Sequence, residues 1–413
     1  MNDAGTSLAA DEPRPALIRA ISLPLLVLYG LGVTIGAGLY VLIGSAVAQA
    51  GSFAPSSFLL AAIVMGFTAG SFAELTGRFP KSAGEAIYVD AGFAWPWLTR
   101  ATGGFIILSA IVAAAAITLG GAGYVVSIID LPKPWVVAGI VVIMGTVAAW
   151  GVLESVTFAA IFTVLEIVGL MIIVIAGLWT HPDIVLRLPE VLPPLSDTVA
   201  LSAVFTTSLI AFFAFIGFDD VVNLVEETKS PKRDMPRAII WTLLAATLIY
   251  FLVVSVAVLT VPHEQLTGTD APISVLFERL TGLSPLAITL IAIAATLNGV
   301  VIQIIMASRV LYGLGNAGRI PGVFARVNPV THTPLISTVI VSVLVLALFL
   351  PIERLAETTT QIILVVFVLV NLSLVRIKLR GDPAPEGVFV APIWVPVLGV
   401  VTCLGLLAGP VVI

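Results

Sequence analysis

The chain has 413 residues, 59% of them hydrophobic and 10% charged, with a formal net charge of −5. A mean hydropathy of +1.14 and a charged fraction far below the ~25% of soluble domains exclude a water-soluble globular protein and leave a polytopic membrane protein. The single cysteine, Cys403, excludes an internal disulfide, and the three histidines, His181, His263 and His332, fall in expected loops without metal-ligand spacing, so neither a cofactor nor a metal centre is expected.

The polar residues 1–20 are too short to fold alone and lack the apolar core of a signal peptide, so they read as a cytoplasmic tail. A spanning helix needs about 20 apolar residues. Eleven such segments are expected, near 21–50, 55–77, 98–128, 134–151, 157–179, 198–227, 236–261, 285–313, 334–350, 358–379 and 391–412. Two of them carry glycine at mid-membrane depth. The first segment contains Gly30-Leu-Gly-Val-Thr-Ile-Gly-Ala-Gly-Leu39, and the sixth contains Phe212-Phe-Ala-Phe-Ile-Gly-Phe-Asp-Asp220. Hydrocarbon offers no water to loose N–H and C=O groups, so irregular backbone survives there only when buried or beside a polar cavity. Two broken helices therefore predict a binding site between them. Close helix packing through small residues is the competing explanation for each glycine cluster taken alone.

The breaks fall in the first and sixth segments, five apart. Because five is odd, that spacing predicts two inverted five-helix units, 21–179 and 198–379, with a peripheral eleventh helix in 391–413. Placing the N-terminus inside puts fifteen Lys and Arg on the inner side, including Arg14, Arg78, Lys232, Arg319 and Lys378. Only Lys133, Arg187, Arg279 and Arg354 fall outside, which is the positive-inside pattern and sets the C-terminus outside. The basic loops thus read as orientation signals rather than a nucleic-acid surface.

Four stretches carry a family resemblance: Thr34-Ile-Gly-Ala-Gly-Leu-Tyr40; Arg78-Phe-Pro-Lys-Ser-Ala-Gly-Glu-Ala-Ile-Tyr88; Phe212 to Asp219 continuing through Glu226-Glu-Thr-Lys-Ser-Pro-Lys-Arg-Asp-Met-Pro-Arg-Ala238; and Ser308-Arg-Val-Leu-Tyr-Gly-Leu-Gly-Asn-Ala-Gly318. With these the chain resembles the amino acid–polyamine–organocation superfamily, and bacterial permeases similar to its cationic amino acid transporter branch. The resemblance implies an all-α LeuT-type fold and transport of amino acids or related amines.

A transported amino acid brings a carboxylate and an ammonium. Backbone N–H groups of Ile35, Gly36, Ala37 and Gly38 are the expected donors to the carboxylate, where a half-helix dipole adds attraction. Carbonyls of Ala214, Phe215, Ile216 and Phe218 are the expected acceptors for the ammonium. The resemblance also implies that the Phe215 ring closes over the substrate. Family members often carry Gly-Thr-Gly or Gly-Ser-Gly where this chain has Gly36-Ala37-Gly38, so the hydroxyl is missing, which leaves room for an amine substrate.

Glu166 lies in the middle of the apolar fifth segment. Proton-coupled relatives commonly hold a lysine at this point, so a glutamate departs from the pattern. A bare charge at the bilayer centre costs at least ~2.5–3.5 kcal/mol. Three roles fit: a proton carrier, a protonated structural group bonded to a neighbouring helix, or a partner for a cationic substrate. Asn298 and Ser308 in the eighth segment are candidates for an ion-site region. Asp219 and Asp220 are expected to cap or charge the inner half of the sixth segment, and Glu74 and Glu85 to pair with Arg78, Lys81 or Arg100 in an inner gate. The leading expectation is a secondary active transporter of amino acids or amines, proton-coupled, working by alternating access in the inner membrane. An exchanger and a sodium symporter are alternatives, and a channel is a weaker one. No Walker or Gly-x-Ser-x-Gly motif supports an ATP-driven pump or an enzyme.

Overall fold

The computed structural model describes residues 19–81, 84–150, 156–316, 318, 320–331 and 333–412. Most of the expected 1–20 tail, Arg14, Arg319, His332 and positions 82 and 83 of the second motif lie outside those residues. In chain order the helices are α1 (Leu23–Ala50), α2 (Ala54–Arg78), α3 (Gly84–Phe93), α4 (Pro96–Val126), α5 (Lys133–Trp150), α6 (Val156–Thr180), α7 (Ile184–Arg187) and α8 (Thr198–Phe213). They continue as α9 (Pro231–Thr260), α10 (His263–Thr267), α11 (Pro272–Thr281), α12 (Leu286–Asn316), α13 (Leu335–Ala347), α14 (Ile352–Leu379) and α15 (Trp394–Val412).

Local chemistry sets several boundaries. Proline occupies the first turn of α1, α2, α4 and α9, where its missing N–H costs nothing. Asp197 caps α8, its side chain accepting from the N–H groups of Val199 and Ala200 at 3.1 and 3.0 Å. Among the described residues, seven helical stretches are long and apolar enough to cross a bilayer, and four shorter apolar ones begin at Leu23, Thr198, Leu335 and Trp394. The short helices α3, α7, α10 and α11 lie in stretches expected to be loops. They are too brief or too polar to show in a search for spans.

One expectation fails here. α1 is a single helix from Leu23 to Ala50, so the chain does not break at Ile35–Gly38. The sixth segment does break, since α8 stops at Phe213 and a short 3-10 turn follows only at Asp219–Leu224. α1 lies at the centre, packed against α2, α4, α6, α8, α9 and α12. α15 packs on α14, α2 and α8, with Cys403 buried 3.6 Å from the Thr68 hydroxyl.

The outer surface carries many large apolar side chains. All seven tryptophans, at 95, 97, 135, 150, 179, 241 and 394, are 46–85% exposed. Trp95, Trp97, Trp150 and Trp394 sit at helix ends on the side of Arg78, and Trp135 and Trp179 at helix ends on the side of Lys133. Two belts of exposed indoles bracketing apolar helices are the pattern of a membrane-embedded protein.

Candidate functional site

The break in the sixth segment is a tight, glycine-dependent turn. The N–H groups of Ala214, Phe215 and Ile216 reach back three residues, to Ala211, Phe212 and Phe213, at 3.0–3.1 Å. Gly217 then adopts φ +121°, a conformation that L side chains rarely take. Its N–H is held by Oδ1 of Asp219 at 2.9 Å, and its carbonyl accepts from the Asp220 N–H at 3.1 Å. Asp219 lies in the first turn of the 3-10 helix, as expected, but its side chain closes the turn before that helix rather than capping it.

The turn lies directly on α1. A β-carbon on Gly217 would come 2.7 Å from Cγ1 of Val33, and one on Gly38 would overlap the Cα of Ala214. The remaining glycines of the first cluster also serve contact. Gly32 abuts Thr163 and Gly36 faces Glu166, both on α6, while Gly30 meets Thr242 of α9 and Val221. The cluster therefore follows the small-residue packing explanation, which corrects the reading of Ile35, Gly36, Ala37 and Gly38 as exposed donors. In a continuous helix those N–H groups have carbonyls four residues earlier as partners.

Tyr250 of α9 ties the two elements together. Its hydroxyl lies 2.7 Å from the carbonyl oxygens of both Thr34 and Ala214, with one proton shared between them. The Ala214 carbonyl is therefore occupied. Phe215 stacks edge-on against the same tyrosine, 5.0 Å between ring centres. Phe215 is not among the residues that border the cavity described below. Two further buried tyrosines end on main-chain carbonyls: Tyr124 on Tyr40 at 2.6 Å, and Tyr40 on Glu166 at 3.4 Å. Sequence reasoning passed over all three. Their signal is a phenol within an apolar run, whose hydroxyl needs a partner once buried.

Glu166 is 1% exposed. Neither of its carboxyl oxygens has a hydrogen-bond partner among the described residues. A β-carbon on Gly36 would lie 3.4 Å from Oε2, 3.5 Å from Oε1, and 3.3 Å from the Ala295 carbonyl of α12. The carboxyl thus sits where α1, α6 and α12 meet. The expectation of a bond to a neighbouring helix is not met. Half-buried Asn298 lies one turn further along α12. Ser308 lies thirteen residues beyond Ala295, roughly 20 Å along the axis, and donates to its own helix at Ile305, 2.9 Å away. The structure does not bring Ser308 to Glu166.

A cavity of about 10 Å³ adjoins the turn on the other side of α1, room for roughly one water molecule. Val33 and Gly38 border it from α1, Ala113 and Ile117 from α4, Phe213 and Ile216 from the turn, and Gly299, Ile302 and Gln303 from α12. A much larger cavity of about 450 Å³ lies toward Lys133, with Val41 and Gly120 in its wall. Val41 is three residues from Gly38 and Gly120 three from Ile117, so a single helical turn separates the two spaces. That turn is closed by contact between Val41 and Gly120.

The opposite side is sealed more deeply. Phe72, Phe218 and Phe367 form a triangle of edge-on rings with centres 5.4–5.9 Å apart, and Tyr88 adds a fourth against Phe72. Beyond them Glu74, fully buried, bonds Arg78 at 2.8 Å and Lys378 at 2.7 Å, and accepts the Ala391 N–H at 2.8 Å. Removing one partner of such a buried pair costs about 3–5 kcal/mol. The expected Glu74–Arg78 pairing is thus present, with Lys378 added from α14. Glu85 makes none of the expected ion pairs. Burial, and then the facing Asp219, push its carboxyl up to about 8.

A family model described as "Amino acid permease" matches residues 21–413. The chain is 29% identical to the branched-chain amino acid permease BcaP of Bacillus subtilis over 97% of its own length and 90% of that protein. It is 31% identical to cationic amino acid transporter 3 of Arabidopsis thaliana over 89% of its length, and 25% identical to the methylthioribose transporter of Bacillus subtilis over 96%. It spans 63% of the Arabidopsis protein and 88% of the methylthioribose transporter.

Proposed function

This chain belongs to the amino acid permease family of the amino acid–polyamine–organocation superfamily, and we propose that it moves an amino acid across the cytoplasmic membrane by proton-coupled alternating access, binding it at the turn of residues 214–218. The observation that carries this reading is that turn, which abandons the helical ladder where it adjoins a cavity. Beyond Phe213 the carbonyls of Phe215 and Ile216 are not committed to a continuing helix, and they would accept the substrate ammonium, whereas the Phe218 carbonyl begins the 3-10 turn that follows. The relatives' names differ in substrate, so family membership favours transport without choosing a cargo.

The unequal seals support alternating access. With the positive-inside orientation, the large cavity is external and stands one helical turn from the site. The aromatic cluster and the Glu74 pairs close the cytoplasmic path. In this reading the molecule is outward-facing with the site shut, and the five-plus-five inverted repeat (21–179 and 198–379) supplies the rocking elements, with 391–413 at the periphery.

Glu166 supports proton coupling. A buried carboxylate with no partner costs several kcal/mol, so the junction of α1, α6 and α12 demands a proton or a cation. Gly36 and Gly38 point to opposite sides of α1, so Glu166 stands behind the site wall rather than in it. Protonation would therefore act through α1 on a site that it does not touch. The test is uptake of labelled amino acids by proteoliposomes under imposed proton or sodium gradients. Accumulation driven by protons alone supports the reading, and accumulation driven only by sodium rejects it.

A further inference from the structure

Resting on that reading, we infer that the cavity beside the turn, which holds about one water as it stands, opens into an apolar side-chain pocket that selects a neutral amino acid with an aliphatic side chain and rejects lysine, arginine and polyamines. Ile117, Phe213, Ile216 and Ile302 present hydrocarbon to it, and Gln303 is the one polar side chain in its wall among the described residues. Gln303 is uncharged. Its amide can donate to or accept from one end of a zwitterion, but it cannot neutralise a second positive charge.

The nearby carboxylates are placed elsewhere. Glu166 faces Gly36, on the far side of α1. Asp219 accepts the Gly217 N–H and faces Glu85. Glu353 and Asp270 border the large cavity beyond the Val41–Gly120 contact, where Glu353 accepts from the Ser45 hydroxyl at 2.8 Å and Asp270 pairs with Lys133 at 2.9 Å. An ammonium or guanidinium side chain entering the pocket would therefore lose its water with no counter-charge to replace it. A branched hydrocarbon side chain would lose only unfavourable contact with water. Ile216 belongs to the non-helical turn, so it is the wall held least by a backbone ladder and the one placed to give way.

The experiment is competition for labelled leucine uptake into proteoliposomes containing the full chain. Excess unlabelled leucine, isoleucine and valine are expected to abolish the signal, while lysine, arginine and spermidine leave it intact. Alanine, lacking the branched carbons, is expected to compete roughly tenfold or more weakly. Gln303→Glu is expected to lower the leucine-to-lysine preference by at least roughly tenfold. Lysine or arginine competing as well as leucine, or labelled lysine entering where leucine does not, overturns the inference and leaves the transport reading standing. Entry of no amino acid at all overturns the transport reading itself, and the inference with it.

Discussion

Gly36 and Glu166 face each other across the α1–α6 contact so closely that a β-carbon on the glycine would lie 3.4 Å from one carboxyl oxygen and 3.5 Å from the other. The same β-carbon would be 3.3 Å from the Ala295 carbonyl, so the position has room for little more than hydrogen. Gly36→Val is expected to lower stability by about 1–3 kcal/mol through overpacking. Gly313→Val, where a β-carbon would meet nothing within 4 Å, is expected to leave stability within about 0.5 kcal/mol, since valine is no worse a helix former than glycine. Thermal unfolding of both variants in detergent checks the difference, and equal losses would contradict it.

The two glycine clusters look alike in sequence and behave differently, and the reason is physical. Glycine serves both a broken backbone and a close contact. At Gly217 the companion Asp219 lies two residues away and completes the turn locally, so that break was legible. At Gly32, Gly36 and Gly38 the deciding partners are Thr163, Glu166 and Ala214, all more than a hundred residues distant, and no local pattern names them. Tyr250 was illegible for the same reason, since one of its acceptors, Thr34, lies 216 residues away. The apolar runs were legible because each helix buries or exposes hydrocarbon over its whole length, whatever its neighbours. Which ring borders the cavity, Phe213 or Phe215, depends on where α8 stops, and a shift of one or two residues reverses it.

Tyr250→Phe keeps the ring contacts with Phe215 and Phe58 but removes the hydroxyl that lies against both Thr34 and Ala214. The Thr34 carbonyl keeps its partner within α1, and leaving the buried Ala214 carbonyl unpaired costs about 1–3 kcal/mol. The variant is expected to insert normally, melt lower and lose most of its uptake, as measured by thermal shift and transport on the same preparation. Wild-type melting together with wild-type uptake would show that the hydroxyl does not hold the turn.

Gly217→Ala meets two obstacles, the positive φ and the side chain of Val33. A loss of about 1–3 kcal/mol is expected from the backbone conformation alone. Uptake is expected to fall with it, because the turn carries the proposed acceptors. Full uptake by this variant would mean that the turn does not bind substrate.

Glu85 gives the protein a pH dependence with a definite sign. Its folded carboxyl is pushed up to about 8, by burial first and by Asp219 second, whereas an unfolded glutamate ionises near 4.3. Between those values the folded protein holds a proton that the unfolded chain releases. Stability from this group is therefore full at low pH and is lost as pH rises toward about 8, at up to about 1.4 kcal/mol per pH unit. Melting temperature measured against pH should fall through that window, and Glu85→Gln should flatten the fall. An unchanged slope in the variant would place the titration elsewhere. The other groups facing this carboxyl are Asp219 and Tyr88.

The most direct measurement is concentrative uptake of a labelled aliphatic amino acid by proteoliposomes under an inward proton gradient, comparing wild type with Glu166→Gln. The account predicts accumulation above equilibrium for wild type, and for the variant only equilibrating exchange, insensitive to the gradient. Gradient-driven accumulation by Glu166→Gln equal to that of wild type would contradict it.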